Sequence, residues 1–428
     1  MDFYAYKSGR LFCEDVDVAA LAAEVGTPVY VYSAGTLRHH YQAFAEAFAP
    51  LGATVCFAVK SLSNLSVLKR FAEMGAGFDV VSGGEIFRAQ RAGADMSRVV
   101  FAGVGKTDRE INEAIAAGVG VFNVESEAEF ENLARLARAA DAPVTAALRI
   151  NPDVDPRTHT YTTTGKKETK FGVDIERAER FFGAYGRDAY ARLTGIHLHI
   201  GSPVNTIEPY VEAITKALGL IDRLRAAGAT IDTLDIGGGF GADYELGQAP
   251  QAARYAERIV PLLAGAGLRI IVEPGRQIAC NAGVLLSEVQ YLKAGGDKHF
   301  AIVDAAMTDL IRPALYDGWH FIYPVVLPEG AQPPVRSRRY APTDAMTVDV
   351  VGGVCESSDF LGKRRRLPEL HRGDLLAVFS AGAYGFTMAS QYNSRPRAPE
   401  VLVAGDRYHI VRRRETYEDL VVAENDRL

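Results

Sequence analysis

Eight short apolar runs in the first two-thirds of the chain each end in a polar, charged or glycine-rich tip. The runs are rich in Val, Ile and Phe, as expected of strands that are buried on both faces. They span residues 54–60, 77–82, 99–103, 120–125, 144–150, 193–200, 233–239 and 269–274. Stretches of helical periodicity separate them, and eight β-α units in succession predict an α/β fold, a (β/α)8 barrel of the TIM type.

The pattern changes beyond about residue 276. One more helical stretch is expected near 277–286, and after it come alternating or β-branched runs that predict a mostly antiparallel C-terminal β domain. Its strands are expected at 299–304, 345–351, 375–379, 400–403 and 408–412. We therefore expect a barrel over 27–276 and a β domain built from 277–428, with 1–26 contributing edge strands to it.

Length and composition limit the classes of protein that the chain can belong to. At 428 residues it is too long for one compact core and fits two domains. The net charge of −6 argues against a nucleic-acid surface. No stretch is apolar for long enough to span a bilayer, and the N-terminus carries no export signal. Four scattered cysteines without a C-x-x-C pair predict reduced thiols in the cytoplasm.

The polar tips are the candidate active site, because (β/α)8 barrels carry their chemistry at the carboxyl ends of the strands. Lys60 follows five apolar residues at the end of the first run. Partial burial there favours the neutral amine, which is the nucleophile that forms a Schiff base. The alternative is a lysine whose ammonium group only reaches from the strand end into water.

Two tips predict an anion site. Gly237, Gly238 and Gly239 allow backbone N–H groups to close around an anion without obstruction by Cβ atoms. Glu273 and the Gly275-Arg276 turn end the eighth run, and the loops after strands seven and eight are the common phosphate site of such barrels. The alternatives are a flexible glycine turn, and a Glu273 that forms a salt bridge with Arg276 or Arg149.

Two histidines lie on the same face of the sixth strand, two residues apart. Zinc is one interpretation of His197 and His199, but no third ligand shows metal spacing nearby, so we expect no metal. A flat ring that stacks on an aromatic cofactor suits one of them better. Asp79 is expected to hold His199 or a neighbouring backbone group. Cys355 beside Glu356 is, on pattern alone, usually just a small buried residue.

Taken together in this order, the residues resemble the fold-type III pyridoxal-phosphate enzymes and, within them, the diaminopimelate decarboxylase family. The resemblance runs nearly end to end. It is carried by residues 57–60, 273–276, 309–316, 355–359, 381–385, 392–397 and 414–418. It implies a lyase that uses pyridoxal 5′-phosphate to decarboxylate meso-2,6-diaminopimelate to L-lysine and CO₂, the last step of lysine biosynthesis, through aldimine and quinonoid intermediates.

The resemblance also implies roles for the cofactor-binding residues. Lys60 would carry the cofactor as an imine, His199 would stack on its ring, and Glu273 would pair with the ring nitrogen. Asp79 and Arg149 are expected in the same site. The residues that would hold the phosphate are Ser202, Gly237, Gly238, Gly239, Gly275, Arg276 and Tyr384.

On the substrate side, the resemblance implies that Arg276, Arg312 and Tyr316 bind the far carboxylate. Tyr384 is also expected among the substrate-binding residues. Glu356 would bind the far ammonium group, and Cys355 would reprotonate the substrate carbon. Cys355 and Glu356 would reach the cofactor of a partner subunit, so that the expected active unit is a homodimer with shared active sites.

Three alternatives stay open at this point. The first is a related decarboxylase of ornithine, arginine or carboxynorspermidine. The second is a cofactor-free binding protein on the same scaffold. The third is an amino-acid racemase, which needs an acid on each face of the carbanion.

Overall fold

The computed structural model describes residues 2–155 and 170–424. The loop at 160–169, whose position the sequence leaves open, lies outside these ranges. Within them, no helix combines the length and the apolar character needed to cross a membrane.

The strands of the described residues are numbered in chain order. They are β1 (Tyr4–Lys7), β2 (Arg10–Cys13), β3 (Val16–Asp17), β4 (Val29–Ser33), β5 (Thr54–Ala58), β6 (Gly77–Val80), β7 (Val99–Phe101), β8 (Val121–Val124), β9 (Val144–Asn151), β10 (Val173–Asp174), β11 (Ala191–His197), β12 (Thr233–Asp235), β13 (Arg269–Val272), β14 (Gly283–Gly295), β15 (Lys298–Val303), β16 (Ile322–Pro324), β17 (Met346–Val351), β18 (Phe360–Leu367), β19 (Leu375–Val378), β20 (Glu400–Ala404) and β21 (Arg407–Arg412).

The helices are numbered in the same way. They are α1 (Val18–Val25), α2 (Ala34–Phe48), α3 (Leu65–Glu73), α4 (Gly83–Arg91), α5 (Asp108–Ala117), α6 (Glu127–Ala139), α7 (Ile175–Tyr185), α8 (Glu208–Ala226), α9 (Ala252–Leu263), α10 (Arg276–Ala279), α11 (Arg312–Tyr316) and α12 (Tyr417–Val421).

Eight parallel strands close into a barrel. The ring runs β5, β6, β7, β8, β9, β11, β12, β13 and back to β5, with β10 paired to the carboxyl end of β9. The closing pairs at one point are Ile271 with Thr54 and Val272 with Val55. Every one of the eight predicted strands is present, and the predicted (β/α)8 barrel is confirmed.

Local sequence signals place several barrel helices. In α5, Thr107 accepts a hydrogen bond from the Glu110 N–H, and the Glu110 carboxylate accepts one from the Thr107 N–H. This capping box satisfies donors that the first helical turn leaves free. Gly118 ends the same helix in the left-handed region, with φ of 76°. Both ends of this helix therefore coincide with a local sequence signal.

The chain divides into two compact units that are interleaved in sequence. One unit, containing the barrel, consists of Tyr41–Ala242 and Ala249–Gln277. The other consists of Met1–His40, Asp243–Gln248 and Ile278–Leu428. The predicted division assigned residues 27–276 to the barrel, but β4 lies in this range and hydrogen-bonds to β14 and β20.

The second unit holds a mixed sheet in which antiparallel pairs dominate. Its strand order is β18-β17-β15-β14-β4-β20-β21, and β19 pairs with both β14 and β16. Only β15–β17 and β20–β4 are parallel pairs in this sheet. The prediction of a mostly antiparallel β domain is confirmed. Strands β1, β2 and β3 form a small sheet of their own, joined to this unit by a bridge between Arg10 and Val326.

The helix predicted over 277–286 is wrong in its second half. Helix α10 ends at Ala279, a 3-10 turn covers Cys280–Ala282, and β14 begins at Gly283. A short apolar run does not distinguish a buried strand from a buried helix. Here the first residues of β14 pair with β4 on one side, and those from Leu285 onward pair with β19 on the other, so long-range hydrogen bonds decide the conformation.

We predict that Phe240→Ala destabilises the barrel unit by about 3–5 kcal/mol, the usual cost of truncating a buried phenylalanine. Phe240 is 1% exposed. Its ring lies 4.8 Å from those of Phe44 and Tyr210 and 5.1 Å from that of Tyr255. Urea unfolding measures the change. The control is Phe87→Ala, at a position 60% exposed, where we expect a change of about 0.5 kcal/mol or less. Equal effects in the two variants would contradict the prediction.

Candidate active site

Lys60 and Asp79 face each other where two neighbouring strands of the barrel end. A 3-10 turn, Val59–Ser61, follows β5 and presents Lys60. Asp79 lies on β6, in register with Ala58. The Lys60 ammonium donates to Asp79 Oδ2; the lysine side chain is 30% exposed and the aspartate is fully buried. Burial and the Glu273 charge raise the pKa of Asp79 to about 6, against the opposing effect of Lys60. The sequence linked Asp79 to His199 or the backbone, and the structure shows its carboxylate paired with Lys60.

Glu273 is a buried carboxylate directly after β13. It is 2% exposed, and its Oε2 lies 3.6 Å from His197 Nε2 and 4.0 Å from His199 Nδ1. Asn123 Nδ2 donates to Glu273 Oε1 at 3.5 Å. Burial works to raise the pKa of Glu273, but the fields of His197 and Lys60 outweigh it and hold the pKa below its ordinary value. The site therefore contains an ionised carboxylate in a buried position.

His197, Asp235 and Glu273 form a buried cluster. Their candidate ligand atoms all lie within 4.8 Å of one another. Burial and the Glu273 charge raise the pKa of Asp235 well above its usual value, and its Oδ1 accepts the Gly237 N–H at 2.9 Å. Only His and Cys residues were sought as a third metal ligand in the sequence, so Asp235 and Glu273 were not recognised there as possible metal ligands.

The glycine turn after β12 is packed tightly against backbone. Gly237 and Gly239 have φ of 70° and 96°. A Cβ atom on Gly237 would lie 2.0 Å from the Leu198 carbonyl oxygen, and one on Gly239 would lie 2.0 Å from that of Gly201. Any side chain here therefore collides with the ends of β11 and its following loop, which explains the requirement for glycine.

Two of the three N–H groups predicted to bind an anion already have partners in the protein. The Gly237 N–H donates to Asp235, and the Gly238 N–H donates to His199 Nδ1 at 3.3 Å. Because His199 Nδ1 accepts, the neutral ring carries its proton on Nε2. Burial, Arg149 and Lys60 lower the pKa of His199 well below its usual value. A neutral, flat imidazole is thus fixed beside Glu273.

Arg276 and Ser202 provide polar groups for an anion near the same glycine-bearing tips. Arg276 opens α10, and its Nε donates to Ser202 Oγ at 3.2 Å. A Cβ atom on Gly275 would lie 2.8 Å from Ala58 Cβ and 2.9 Å from Ser61 Oγ. The structure therefore brings together the residues that the sequence assigned to the phosphate in this unit.

Arg149 is paired with Glu125, a residue to which the sequence gave no role. Arg149 Nη1 donates to both Glu125 oxygens at 3.0 and 3.2 Å, and Nη2 donates to the His199 carbonyl at 3.3 Å. The Gly172 N–H also donates to Glu125. Glu125 ends the fourth predicted run, so its position at a strand tip was the signal that could have identified it.

In the other unit, Arg312 and Tyr316 begin and end the short helix α11. Arg312 is buried and Tyr316 is half-buried. Tyr384 is half-buried in the left-handed region, with φ of 55°.

Cys355 and Glu356 lie on an exposed loop of that unit. The interpretation of Cys355 as a buried small residue is therefore wrong. Its N–H donates to Asn393 Oδ1 at 3.2 Å. Tyr392 and Ser358 donate to the Glu356 carboxylate at 2.6 and 2.8 Å, and these two bonds lower the pKa of Glu356.

Comparison with known proteins identifies the class. Residues 34–280 match the family described as pyridoxal-dependent decarboxylase, pyridoxal binding domain. The chain is 48% identical to the diaminopimelate decarboxylase of Pseudomonas aeruginosa over 99% of both chains. The chain therefore belongs to the pyridoxal-dependent decarboxylases.

Two solved structures extend the comparison. The diaminopimelate decarboxylase of Helicobacter pylori complexed with L-lysine superposes with a TM-score of 0.89 and 38% identity, covering 96% of this chain and 100% of that one. The diaminopimelate decarboxylase of M. jannaschii in co-complex with L-lysine superposes with a TM-score of 0.91 and 34% identity, covering 99% of this chain and 98% of that one. Within the class, the chain is a member of the diaminopimelate decarboxylase family.

The groups at the barrel site fit pyridoxal phosphate. An amine, an ionised buried carboxylate, a neutral imidazole and an arginine–serine pair match the aldehyde, ring nitrogen, ring face and phosphate of this cofactor. Asp79 Oδ1 is buried and, within the part of the chain that the structure describes, has no hydrogen-bond partner. A buried acceptor in this state is expensive in a protein interior, which agrees with a site built to receive a polar group.

Proposed function

We propose that this chain removes the carboxylate at the D-centre of meso-2,6-diaminopimelate to give L-lysine and CO₂, the last step of lysine biosynthesis. The observation that carries the proposal is the placement of Lys60 and Asp79 beside the buried, ionised Glu273 in a chain of this family. Pyridoxal phosphate, when bound, supplies the electron-withdrawing ring that accepts the electron pair left behind by CO₂.

Each barrel residue has a distinct part in this proposal. Lys60 would hold the cofactor covalently and would release it to the substrate amine, and Asp79 accepts a hydrogen bond from Lys60. Glu273 would accept a hydrogen bond from the ring nitrogen and so favour its protonated form. The neutral imidazole of His199 would pack on the ring, and Arg149 fixes the His199 backbone through its carbonyl.

The phosphate group is a dianion and needs several donors. We assign it to the guanidinium of Arg276, the hydroxyl groups of Ser202 and Tyr384, and the glycine tips at 237–239 and 275. The N–H groups of Gly237 and Gly238 already donate to Asp235 and His199. Arg276 and Ser202 therefore contribute more of the hydrogen bonds to the phosphate than the glycine pattern alone indicates.

Arg276, Arg312 and Tyr316 bind the far carboxylate of the substrate in this proposal, and Tyr384 also contacts the substrate. Arginine suits that task because its planar fork matches a carboxylate. Glu356 binds the far ammonium group. Ornithine, arginine and carboxynorspermidine, the substrates of the rival decarboxylases, are weaker candidates, since ornithine and arginine lack a second carboxylate for the two guanidinium groups.

Cys355 donates the proton that replaces CO₂ on the substrate carbon. Its exposure on the surface of the chain supports a role in the site of a partner subunit, and we propose a homodimer with shared active sites. All four cysteines are free thiols, which agrees with a reducing compartment, and we assign the protein to the cytoplasm.

We predict that the protein releases CO₂ from meso-diaminopimelate with a kcat/KM at least about 100-fold above that for L-ornithine, because a site built to bind the far carboxylate discriminates against a substrate that lacks it. A coupled CO₂ assay under identical conditions measures both constants. Preference for ornithine would assign the chain to the rival class of decarboxylase.

Replacing Lys60 with alanine should abolish both the visible absorbance of the bound cofactor and CO₂ release, because the covalent attachment is lost. Cys355→Ala should keep the absorbance and slow turnover by about 10²–10⁴-fold, as expected for loss of a general acid. Lys69→Ala, on the exposed side of α3, serves as the control and should change neither property. Full absorbance in the Lys60→Ala protein would place the attachment on another lysine.

Mixed dimers test the shared site. The Lys60→Ala dimer should be inactive and the Cys355→Ala dimer should keep at most about 1% of wild-type activity, but a hybrid dimer contains one site with both residues intact. Random reassociation should therefore restore about a quarter of wild-type activity. A mixture that stays inactive, although size analysis shows hybrid dimers, would mean that both residues act within one subunit.

A further inference from the structure

Arg312 is a buried cation with defined neighbours in its own unit. It is 7% exposed. Its Nη1 lies 2.7 Å from His320 Nε2, and its guanidinium carbon lies 4.3 Å from the centre of the Tyr244 ring. An imidazole acceptor and an aromatic face therefore both contact this buried guanidinium.

The hydrogen bond from Arg312 determines which ring nitrogen of His320 carries the proton. A guanidinium has five donors and no acceptor, so Nε2 of His320 must accept the bond. A neutral imidazole then carries its proton on Nδ1, which lies 2.9 Å from the Phe379 carbonyl oxygen. The ring therefore connects a backbone acceptor on one side to the guanidinium on the other.

The sheet fixes both ends of this connection. The Phe379 N–H donates to the Phe321 carbonyl at 2.8 Å. Ile322, which follows Phe321, is paired with Val378, which precedes Phe379, in strands β16 and β19. His320 directly precedes Phe321 in the chain. The imidazole and the carbonyl that orients it are therefore held by the same pair of strands.

Tyr244 completes the arrangement. Its ring stands edge-on to His320, with centroids 5.3 Å apart and an interplanar angle of 88°. The carbonyl oxygen of the preceding residue, Asp243, accepts hydrogen bonds from Asn281 at 2.5 Å and Ser380 at 3.2 Å. These bonds hold the backbone beside Tyr244, so the aromatic face has a defined position relative to Arg312.

We propose that His320 and Tyr244 are positioning residues that orient Arg312 toward the far carboxylate of the substrate, and that they set the discrimination between amines with and without that carboxylate. This inference rests on the proposed function, which gives Arg312 its ligand. The bond to His320 fixes the plane of the guanidinium, and a planar fork of this kind matches the two oxygens of a carboxylate. Restricting the long Arg312 side chain before the ligand binds reduces the conformational entropy that is lost on binding.

Two substitutions of His320 separate its two hydrogen bonds. In His320→Gln the side-chain oxygen reaches the position of Nε2 and still accepts from Arg312. In His320→Asn the amide reaches only the position of Nδ1, so the bond to Phe379 is kept and the bond to Arg312 is lost. The pair is matched in polarity, and both variants retain a hydrogen-bonding group in the buried site.

The experiment measures two dissociation constants on the cofactor-loaded enzyme by calorimetry. L-Lysine retains the far carboxylate, and 1,5-diaminopentane has the same carbon chain without it. In His320→Asn we expect the constant for L-lysine and the KM for diaminopimelate to rise by about 10-fold or more, while that for 1,5-diaminopentane changes by less than about 2-fold. His320→Gln should restore L-lysine binding to within about 3-fold of wild type.

Tyr244→Leu is the second variant, and it should weaken L-lysine binding with the same selectivity. Equal weakening of both ligands, or equal effects of Asn and Gln at position 320, would overturn the positioning role. A wild-type enzyme that neither binds L-lysine nor releases CO₂ from diaminopimelate would instead overturn the proposed function. A His320→Asn protein that fails to fold leaves Tyr244→Leu and His320→Gln to decide the question.

Discussion

The burial of the Glu273 carboxylate is the constraint on which the site depends. An ionised carboxylate in a protein interior is stable only when other groups compensate its charge. Here the compensating groups come from other strands: His197 from β11, Asn123 from β8, and Lys60 from the turn after β5. These strands surround one carboxylate only because the barrel is closed. The compensation of the Glu273 charge therefore depends on the closure of the barrel.

The barrel itself was predictable from sequence because each of its strands is a separate, fully apolar run followed by a helix with its own signals. Thr107 and Glu110 show how complete such local information is, since both halves of the capping box are present. The second unit was less predictable. The Val and Tyr residues of β4 favour a strand, but only pairing with β14 and β20 places that strand in the second unit, and the short apolar run at the start of β14 does not distinguish a strand from a helix.

The same distinction applies to the functional residues. Those at strand tips could be found from sequence, because a polar residue after an apolar run is unusual and its destination is known from the architecture. Asn123 and His320 could not be given a role in this way. Their significance comes from neighbours on other strands or segments, such as the Arg312 guanidinium at 2.7 Å from His320, and those neighbours are set by tertiary structure. The pairing of Arg149 with Glu125 belongs between the two cases, because one partner stands at a recognised tip.

The interleaving of the two units has a consequence for how the protein is made. The barrel unit is complete in sequence at Gln277, whereas the other unit needs residues from both termini. Strand β4 leaves the ribosome early, yet it pairs with β14 and, through contacts such as Tyr30 with Glu400, with β20. Chains fold as they emerge, from the N-terminus onward. The barrel can thus assemble while translation continues, whereas one edge of β4 stays unpaired until β14 has been made and the other until β20 has been made near the end of the chain, which leaves this strand open to pairing with other chains for most of its synthesis.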